Sequence, residues 1–327
     1  MITLREIEDA RKTIRSLVTK TPLMRSRFLS DLCGGEVYLK LENLQTTNSF
    51  KIRGALNRMM NLSAEEKQHR LIAASSGNHG QAVAIGAEKL GLAATVVVPK
   101  NTPKIKVEKI RKHKVELILY GEIYDEAEQY ARDLAKKEEL TFISAYNDEM
   151  VVAGQGTVGL EILEDLPDVN TMIVPVSGGS LIGGIAVAAK SLRPSVEILG
   201  VQPEATPAMY YSLKAGKIID VEMKDTIAEG LSGNIEKGCM TFEIIQTHVD
   251  EILLYDEETI RKAIRLLWEK EKQVAEGSGA IAVAPIMDSK ERFARKTTVS
   301  VISGGNIDEA LFQNIIASEP LSSSSRS

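Results

Sequence analysis

The chain has 327 residues, of which 43% are hydrophobic and 26% charged, and its formal net charge at pH 7 is −5. This length can bury a large core and suggests about two domains, and the mild negative charge excludes the basic surface of a nucleic-acid-binding protein. No apolar stretch reaches the roughly 18 residues of a membrane span, and the start, Met1 to Glu6, lacks a signal-peptide core. We therefore expect a cytoplasmic protein with neither membrane nor nucleic-acid partners.

The first informative segment is Ser49-Phe50-Lys51, which runs into a helix-like pattern from Arg53 to Met60. A lysine amine at a helix start, held beside an aromatic ring, can be kept partly desolvated. Desolvation lowers the pKa of the amine and makes it a usable nucleophile for an aldehyde cofactor. Most lysines are solvated surface charges, so this local pattern needs support from other motifs.

The second motif follows the apolar run Leu71 to Ala73 and precedes a helical pattern from Ala82 to Leu90. A strand, a tight turn and a helix start leave free backbone N–H groups at the positive end of a helix, which favours a carboxylate. An ordinary turn with a helix cap is the alternative. The turn residues are Ser75, Ser76, Gly77, Asn78 and His79.

Strands and helices then alternate along the chain. Residues 93–99 and 115–120 have strand patterns, and residues 104–114 and 124–138 have helix patterns. This alternation is typical of a parallel architecture, so the predicted fold class is α/β with two open, mostly parallel sheets flanked by helices.

The third motif is a glycine- and serine-rich loop between an apolar strand that includes Ile173 and an alanine-rich helix. Glycines let the backbone approach a ligand closely, and the helix dipole favours a dianion. The loop lacks the Gly-Lys-Ser/Thr of a Walker motif and the G-x-G-x-x-G with a following acid of a dinucleotide site. It therefore predicts a phosphate cradle, and a structural glycine turn is the alternative. Its residues are Ser177, Gly178, Gly179, Ser180 and Leu181.

The fourth motif is a strand, Val299 to Ile302, that ends in Ser303-Gly304-Gly305-Asn306. Together the motifs supply a lysine for an imine, a carboxylate loop, a phosphate cradle and a polar strand end. These are the parts of a pyridoxal-phosphate (PLP) enzyme that acts on an amino acid.

In these motifs, over about residues 4–316, the chain resembles the fold-type II, tryptophan synthase beta-like PLP enzymes, and within them the threonine/serine dehydratase and serine racemase family. The resemblance implies PLP in a cleft between two domains, a small-molecule amino-acid substrate, and a homodimer or homotetramer. It implies a large domain of residues 1–48 and 147–316 and a small inserted domain of residues 49–146. Residues 317–327 read as a disordered tail, and no long regulatory extension is expected.

The resemblance also implies the roles of individual residues. Lys51 forms the imine with the cofactor and, with Ser76, is a candidate catalytic residue. The loop from Ser75 to His79, which includes Asn78, receives the substrate carboxylate. The other cofactor-binding residues are Phe50 against the ring, Asn78 at the 3-hydroxyl, Ser177, Gly178, Gly179, Ser180 and Leu181 at the phosphate, Gly230 and Glu276 beside the ring, and Ser303 at the pyridine nitrogen. A helix-end charge is the alternative for Glu276.

The neutral hydroxyl of Ser303 favours one reaction within the family. It cannot hold the pyridine nitrogen protonated as a carboxylate would, so the ring is a weaker electron sink and prompt loss of a β-substituent is favoured. Lys51 is the natural base for the α-proton, and the cofactor phosphate the proton donor to the departing hydroxyl. We expect an L-threonine/L-serine dehydratase that releases a 2-oxo acid and ammonia.

Several alternatives remain open at this stage. Ser76 lies where racemases of this family carry a serine that serves the opposite face of Cα, so serine racemase is one, and a dehydratase for 3-hydroxyaspartate or phenylserine is another. Gln202 and Ala208 stand where many racemases have metal ligands, and Cys33 and Cys239 belong to no Cys/His cluster, so no metal is expected. A nicotinamide-dependent oxidoreductase and an inactive PLP-binding module are the alternatives from other classes.

Overall fold

The computed structural model describes residues 2–317, and its strands form two sheets. One sheet has the strand order β1-β2-β10-β7-β8-β9 and the other has the order β5-β4-β3-β6. Only β1 runs antiparallel to its neighbour, so the predicted pair of mostly parallel sheets is confirmed. The strands are β1 (Leu23–Arg25), β2 (Glu36–Leu41), β3 (Leu71–Ala74), β4 (Ala94–Val98), β5 (Glu116–Leu119), β6 (Thr141–Phe142), β7 (Thr171–Pro175), β8 (Glu197–Pro203), β9 (Glu251–Tyr255) and β10 (Thr297–Ile302).

Helices connect and cover these strands. The helices are α1 (Leu4–Ile14), α2 (Arg27–Cys33), α3 (Lys51–Met60), α4 (Asn78–Leu90), α5 (Lys104–Arg111), α6 (Tyr124–Lys137), α7 (Glu149–Asp165), α8 (Ser180–Leu192), α9 (Ala208–Ala215), α10 (Met240–His248), α11 (Glu257–Glu271), α12 (Gly277–Ala280), α13 (Ala284–Asp288), α14 (Lys290–Phe293) and α15 (Glu309–Ala317). Within residues 2–317, none of them is both long and apolar enough to cross a membrane.

The six-stranded sheet is buried on both faces, as a parallel sheet covered by helices must be. On β10, Val299 and Val301 join a hydrophobic cluster that includes Ile185 of α8, while Ile302 joins a cluster on the opposite face that includes Leu267 of α11. The four-stranded sheet lies within residues 71–142, inside the predicted small domain. The domain boundaries themselves stay a prediction.

Three predicted boundaries are wrong. Helix α4 begins at Asn78, directly after the Gly77 turn, and not at Ala82; its first turn makes a tertiary contact that the local pattern does not show, between Nε2 of His79 and the carbonyl of Ile143 just after β6. Helix α5 ends at Arg111 because the chain must turn back into β5 within a few residues. The last residue of α15 is Ala317, which the predicted tail included, and the rest of that tail, residues 318–327, lies outside the described residues.

Helix α7 sets the spacing between the two helices that begin at the predicted lysine and at the glycine loop. A Cβ atom on Gly154 would lie 2.7 Å from Cα of Gly54 in α3, and a Cβ on Gly184 in α8 would lie 2.5 Å from the nitrogen of Gly156. Backbones at this distance leave no room for side chains. Because α3 begins at Lys51, these contacts fix the lysine relative to the start of α8.

A buried ionic cluster also joins α3 to α7. Arg53 donates through Nε to Glu42 over 2.8 Å and through Nη1 to Glu161 over 2.6 Å, and Lys40 donates to Glu161 over 2.6 Å. All four side chains are nearly or completely buried, and the two positive charges balance the two negative ones. Such a cluster tolerates no single deletion, since removal of one member would leave an unpaired buried charge.

Candidate active site

The side chain of Lys51 lies against the segment that follows β6. Its Nζ donates a hydrogen bond to the carbonyl oxygen of Ala145 over 2.8 Å and lies 5.2 Å from the centroid of the Phe50 ring. Burial lowers the pKa of the Lys51 amine to about 8, in the direction expected for an amine at a helix start beside an aromatic ring. A substantial fraction of this amine is neutral near physiological pH, so it can act as a nucleophile or as a base.

The imidazole of His79 is buried close to this amine. Its Nε2 lies 2.9 Å from the carbonyl oxygen of Ile143. Burial, together with the positive charge of Lys51, lowers the pKa of His79 to about 3. The ring is therefore neutral and donates to that carbonyl, which leaves the backbone N–H of His79, in the first turn of α4, as the group that can meet an anion.

The loop between β3 and α4 is folded by its own serine. The Oγ of Ser75 accepts a hydrogen bond from the backbone N–H of Gly77 over 3.1 Å, which shapes the turn that leads into the helix. Ser76 and Asn78 are partly exposed, and no side chain caps the start of α4. The helix start therefore presents free N–H groups and partial positive charge at an accessible surface, the arrangement that binds a carboxylate.

Asn78 connects this loop to the partly buried carboxyl group of Glu276. Its Nδ2 donates to Oε1 of Glu276 over 2.6 Å, and its Oδ1 accepts from Nδ2 of Asn306 over 2.7 Å. Asn306 also donates to the carbonyl of Thr47 over 2.9 Å, which fixes the orientation of both amides. Burial raises the pKa of Glu276 to about 7, so this carboxyl group is largely uncharged below that pH. The geometry places Glu276 beside Asn78, and Asn306 is a neighbour whose role the sequence did not suggest.

The raised pKa of Glu276 predicts a pH-dependent loss of stability. Between its ordinary pKa of 4.5 and about 7, the carboxyl group ionises in the unfolded chain but stays protonated in the folded one, so stability present at low pH is lost as the pH rises. Glu276→Gln keeps the shape of the side chain and the acceptor for Asn78 but removes the titration. In urea unfolding across this pH range, the free energy of unfolding of the wild type should fall relative to the variant by on the order of 2 kcal/mol. Parallel curves would show that Glu276 ionises normally.

The segment that carries Lys51 is attached to the end of β10. The backbone N–H of Phe50 donates to the carbonyl of Ser303 over 3.1 Å, and Ser49 forms an isolated antiparallel bridge with Gly304. These bonds hold the lysine beside the polar strand end that the sequence identified separately.

Ser278, at the start of α12, joins two further predicted residues. It accepts at its carbonyl from the Oγ of Ser303 over 3.2 Å and at its Oγ from the backbone N–H of Gly230 over 2.9 Å. Gly230 and Ser303 are therefore both hydrogen-bonded to Ser278. Ser278 was not a sequence candidate, because nothing local distinguishes it from other serines.

The glycine loop between β7 and α8 has no space for side chains at its centre. Gly179 has φ of +89°, which favours glycine. A Cβ on Gly178 would lie 2.5 Å from Cδ1 of the Tyr146 ring, so this ring fills the space that a side chain at Gly178 would need. Ser177 and Gly178 are partly exposed, while Ser180 begins α8 without a side-chain cap. The result is a backbone cradle at a helix N-terminus, with its N–H groups available to an anion.

Three of the helices that begin at the candidate site lack a capping side chain at their N-cap residue: within residues 2–317, this holds for α3, α4 and α8. In the same range, α1, α2, α7 and α11 are capped by Thr3, Ser26, Asp148 and Asp256, whereas α5, α6, α9 and α10 are not capped either. The uncapped helix starts suit a ligand that supplies its own anionic groups.

The two positions compared with racemase metal ligands are buried, Gln202 near the end of β8 and Ala208 at the start of α9. Gln202 accepts at its Oε1 from the backbone N–H of Tyr210 over 2.9 Å, and Ala208 is buried. Among residues 2–317, no group of three His, Cys, Asp or Glu side chains is arranged to hold a metal ion.

Comparison with known proteins agrees with this geometry. The model of a family described as pyridoxal-phosphate dependent enzymes matches residues 14–304. The chain belongs to this family. The PLP-dependent enzyme described here is 46% identical over 316 residues to an L-threonine ammonia-lyase of Thermotoga maritima, with coverage of 97% of this chain and 78% of the relative.

Two solved structures are also similar to this PLP-dependent enzyme. Maize serine racemase superimposes with a TM-score of 0.90 at 33% identity, covering 96% of each chain. The processed form of threonine deaminase isoform 2 from Solanum lycopersicum superimposes with a TM-score of 0.90 at 33% identity, covering 95% of this chain and 86% of that one. Membership of the family identifies PLP as the cofactor, so a nicotinamide dinucleotide is not needed to explain the glycine loop.

The residues present fit PLP. Lys51 supplies an amine whose pKa is lowered to about 8, and the loop at Gly178 and Gly179, packed too tightly against neighbouring side chains to carry a Cβ atom, supplies backbone N–H groups at a helix start. Ser303 and Asn78 supply neutral polar groups nearby. Contacts along the chain connect these groups. Lys51 donates to the carbonyl of Ala145, and the residue after it, Tyr146, packs against Gly178 of the glycine loop. The segment that carries Lys51 is bonded to Ser303 through the N–H of Phe50.

Proposed function

We propose that this enzyme is an L-threonine/L-serine dehydratase, an ammonia-lyase that eliminates water from its substrate and releases 2-oxobutanoate or pyruvate with ammonia. The observation that carries the proposal is the position of the partly buried Lys51 amine, held beside the Phe50 ring in a segment bonded to Ser303, and its lowered pKa of about 8 suits proton abstraction near neutral pH. The 46% identity to an L-threonine ammonia-lyase supports the choice of substrate.

The proposal assigns the predicted residues to the parts of PLP. Lys51 would hold the cofactor covalently, and Phe50 would pack against its ring. Asn78 would bond the 3-hydroxyl and Ser303 the pyridine nitrogen, with Gly230 and Glu276 beside the ring. The phosphate would be held by Ser177, Gly178, Gly179, Ser180 and Leu181. When bound, PLP supplies an electron sink for the bond to the α-proton.

The chain's own residues would then orient the substrate and move its proton. The loop from Ser75 to Gly77 and the first turn of α4, with Asn78 and the N–H of His79, would hold the carboxylate and so turn Cα toward Lys51. The Lys51 amine would take the α-proton at Nζ. Ser303 offers a neutral hydroxyl, and burial keeps Glu276 uncharged below about pH 7, so neither group adds a full negative charge beside the ring below that pH.

A substrate panel tests the proposal. The purified protein, loaded with PLP, would be given L-threonine, L-serine, 3-hydroxyaspartate and phenylserine, with 2-oxo acid and ammonia measured together. We expect L-threonine and L-serine to give one equivalent of each product. Exclusive turnover of 3-hydroxyaspartate or phenylserine would refute the assigned substrate, and unchanged amino acids with a PLP-loaded protein would refute the assigned reaction.

Serine racemase is the second candidate, because Ser76 is partly exposed at the helix start that faces the substrate and because maize serine racemase has the same fold. If Ser76 serves the second face of Cα, Ser76→Ala should remove any formation of D-serine. Dehydration of L-threonine should survive within about tenfold, a loss of roughly 1.4 kcal/mol, because Lys51 still takes the proton of the L-substrate. Kinetics with L-threonine and chiral analysis of serine measure both effects. A parallel loss for both enantiomers, mainly in KM, would show that Ser76 only binds the carboxylate.

We also propose that the enzyme acts in the cytoplasm as a homodimer or homotetramer, with a large domain of residues 1–48 and 147–316 and a small domain of residues 49–146. Light scattering on the PLP-loaded protein gives its mass directly. A monomer at micromolar concentration would contradict the assembly.

A further inference from the structure

The glycine loop is held from behind by a residue of α10. Thr241 is completely buried, and its Oγ1 donates to the carbonyl oxygen of Gly178 over 2.5 Å. A Cβ on Gly179 would lie 3.2 Å from Cβ of Thr241 and 2.5 Å from Cδ1 of Ile245. Helix α10 therefore packs directly on the peptide that joins the two glycines.

A second hydrogen bond fixes the direction of the Thr241 hydroxyl. The Sγ of Cys239 lies 2.8 Å from Oγ1 of Thr241. The hydroxyl of Thr241 has one hydrogen, and the carbonyl of Gly178 can only accept, so that hydrogen goes to the carbonyl and the thiol donates to Oγ1. Burial raises the pKa of the Cys239 thiol, which therefore keeps its hydrogen. The thiol of Cys239 thus donates to the hydroxyl of Thr241, and that hydroxyl donates to the carbonyl of Gly178.

The orientation of that carbonyl determines where the next N–H group points. In a planar trans peptide the C=O of one residue and the N–H of the next point in opposite directions. Because the Gly178 oxygen faces α10, the N–H of Gly179 faces away from α10, and within residues 2–317 it donates to no backbone carbonyl outside regular helices and strands. The N–H groups of Ser180 and Leu181, in the first turn of α8, lack partners in the helix for the same geometric reason that all helix starts do.

We propose that Thr241 is a positioning residue for the phosphate cradle: by holding the carbonyl of Gly178, it turns the N–H of Gly179 toward the cofactor phosphate. The inference rests on the proposed assignment of Ser177 to Leu181 to that phosphate. Thr241 touches only the back of the loop, so its effect must pass through the peptide group and must depend on the phosphate.

Pyridoxal, which lacks the phosphate, separates this role from a general structural one. The full-length protein, freed of cofactor, would be titrated with PLP and with pyridoxal, and binding followed by absorbance. Thr241→Val should bind PLP about tenfold more weakly, the cost of one lost hydrogen bond to the Gly178 carbonyl, and should bind pyridoxal as the wild type does. Thr241→Ser keeps the hydroxyl and should retain the wild-type affinity for PLP. Thr157→Val is the matched control.

Thr157 is also buried, and its hydroxyl donates to a glycine carbonyl, that of Gly154, over 2.7 Å, but in α7 and away from the loop. Its valine variant should lose stability without changing the ratio of the two affinities. If Thr241→Val does not fold, Cys239→Ala provides the test, because it removes only the donor that orients the hydroxyl. That variant should bind PLP about threefold more weakly and pyridoxal unchanged.

Three results would overturn the inference. Equal losses for PLP and pyridoxal in Thr241→Val would show a general structural role, and no loss for either would show no role. A wild type that binds pyridoxal as tightly as PLP would overturn the assignment of the glycine loop itself, and the role of Thr241 with it. None of these results depends on the amino-acid substrate, so they do not test whether the enzyme is a dehydratase.

Discussion

Replacement of Lys51 by alanine should reduce the turnover of L-threonine at least about a thousandfold, with the protein still folded. The proposal gives the Lys51 amine two tasks, attachment of the cofactor and removal of the α-proton. Alanine removes both. The rate of 2-oxobutanoate formation measures the effect, and circular dichroism shows that the fold is kept.

Two comparison variants make this result specific. Lys51→Arg keeps a positive charge but cannot lose its proton, so it should be as inactive as the alanine variant. Lys89→Ala, which removes a lysine near the far end of α4, should turn over at the wild-type rate. Activity of Lys51→Ala within tenfold of the wild type, in PLP-loaded protein, would show that another group removes the α-proton.

Gly184→Ala should destabilise the protein by about 3 kcal/mol or more, or prevent folding. The added Cβ would lie 2.5 Å from the backbone nitrogen of Gly156, at a point where the backbones of α7 and α8 pack directly against each other. Relief would require the helices to move apart, which costs more than the shift of a flexible side chain. Because the start of α8 forms the glycine loop, a variant that folds should also bind PLP more weakly.

The neighbouring residue gives the matched control. A Cβ on Gly183 would come no closer than 3.3 Å to any atom, and that atom, Cγ2 of Ile244, belongs to a side chain. Gly183→Ala should therefore lower the free energy of unfolding by less than about 1 kcal/mol. Urea unfolding of both variants measures the difference. Equal stability of the two would mean that α7 and α8 can separate at little cost.

The sequence was most informative where function depends on a short stretch of chain. Lys51, the loop at Asn78 and the loop at Gly178 each lie at a strand end or a helix start, and the order of residues there determines the backbone groups that are exposed. The alternation of strand and helix patterns likewise predicted the two sheets, because parallel strands require helical crossovers.

The sequence was least informative where residues far apart in the chain meet. Thr241 and Tyr146 contact the glycine loop from 63 and 32 positions away, counted from Gly178, and their own surroundings contain no motif. Asn306 was part of a motif, but its bond to Asn78 depends on the packing of β10 beside the Lys51 segment. The start of α4 at Asn78 likewise coincides with a tertiary contact, that of His79 with the carbonyl of Ile143, which the local pattern does not show.

The most direct test of the central claim, elimination of water by an enzyme of this family, is to follow L-serine in deuterated water by proton NMR. L-Serine is a substrate for both candidate reactions, so one spectrum distinguishes them. The proposal predicts that pyruvate and ammonia appear in equal amounts and that the serine remaining at each time is the L-enantiomer. Accumulation of serine deuterated at Cα, with the D-enantiomer approaching half of the total and little pyruvate, would contradict it and identify the enzyme as a racemase.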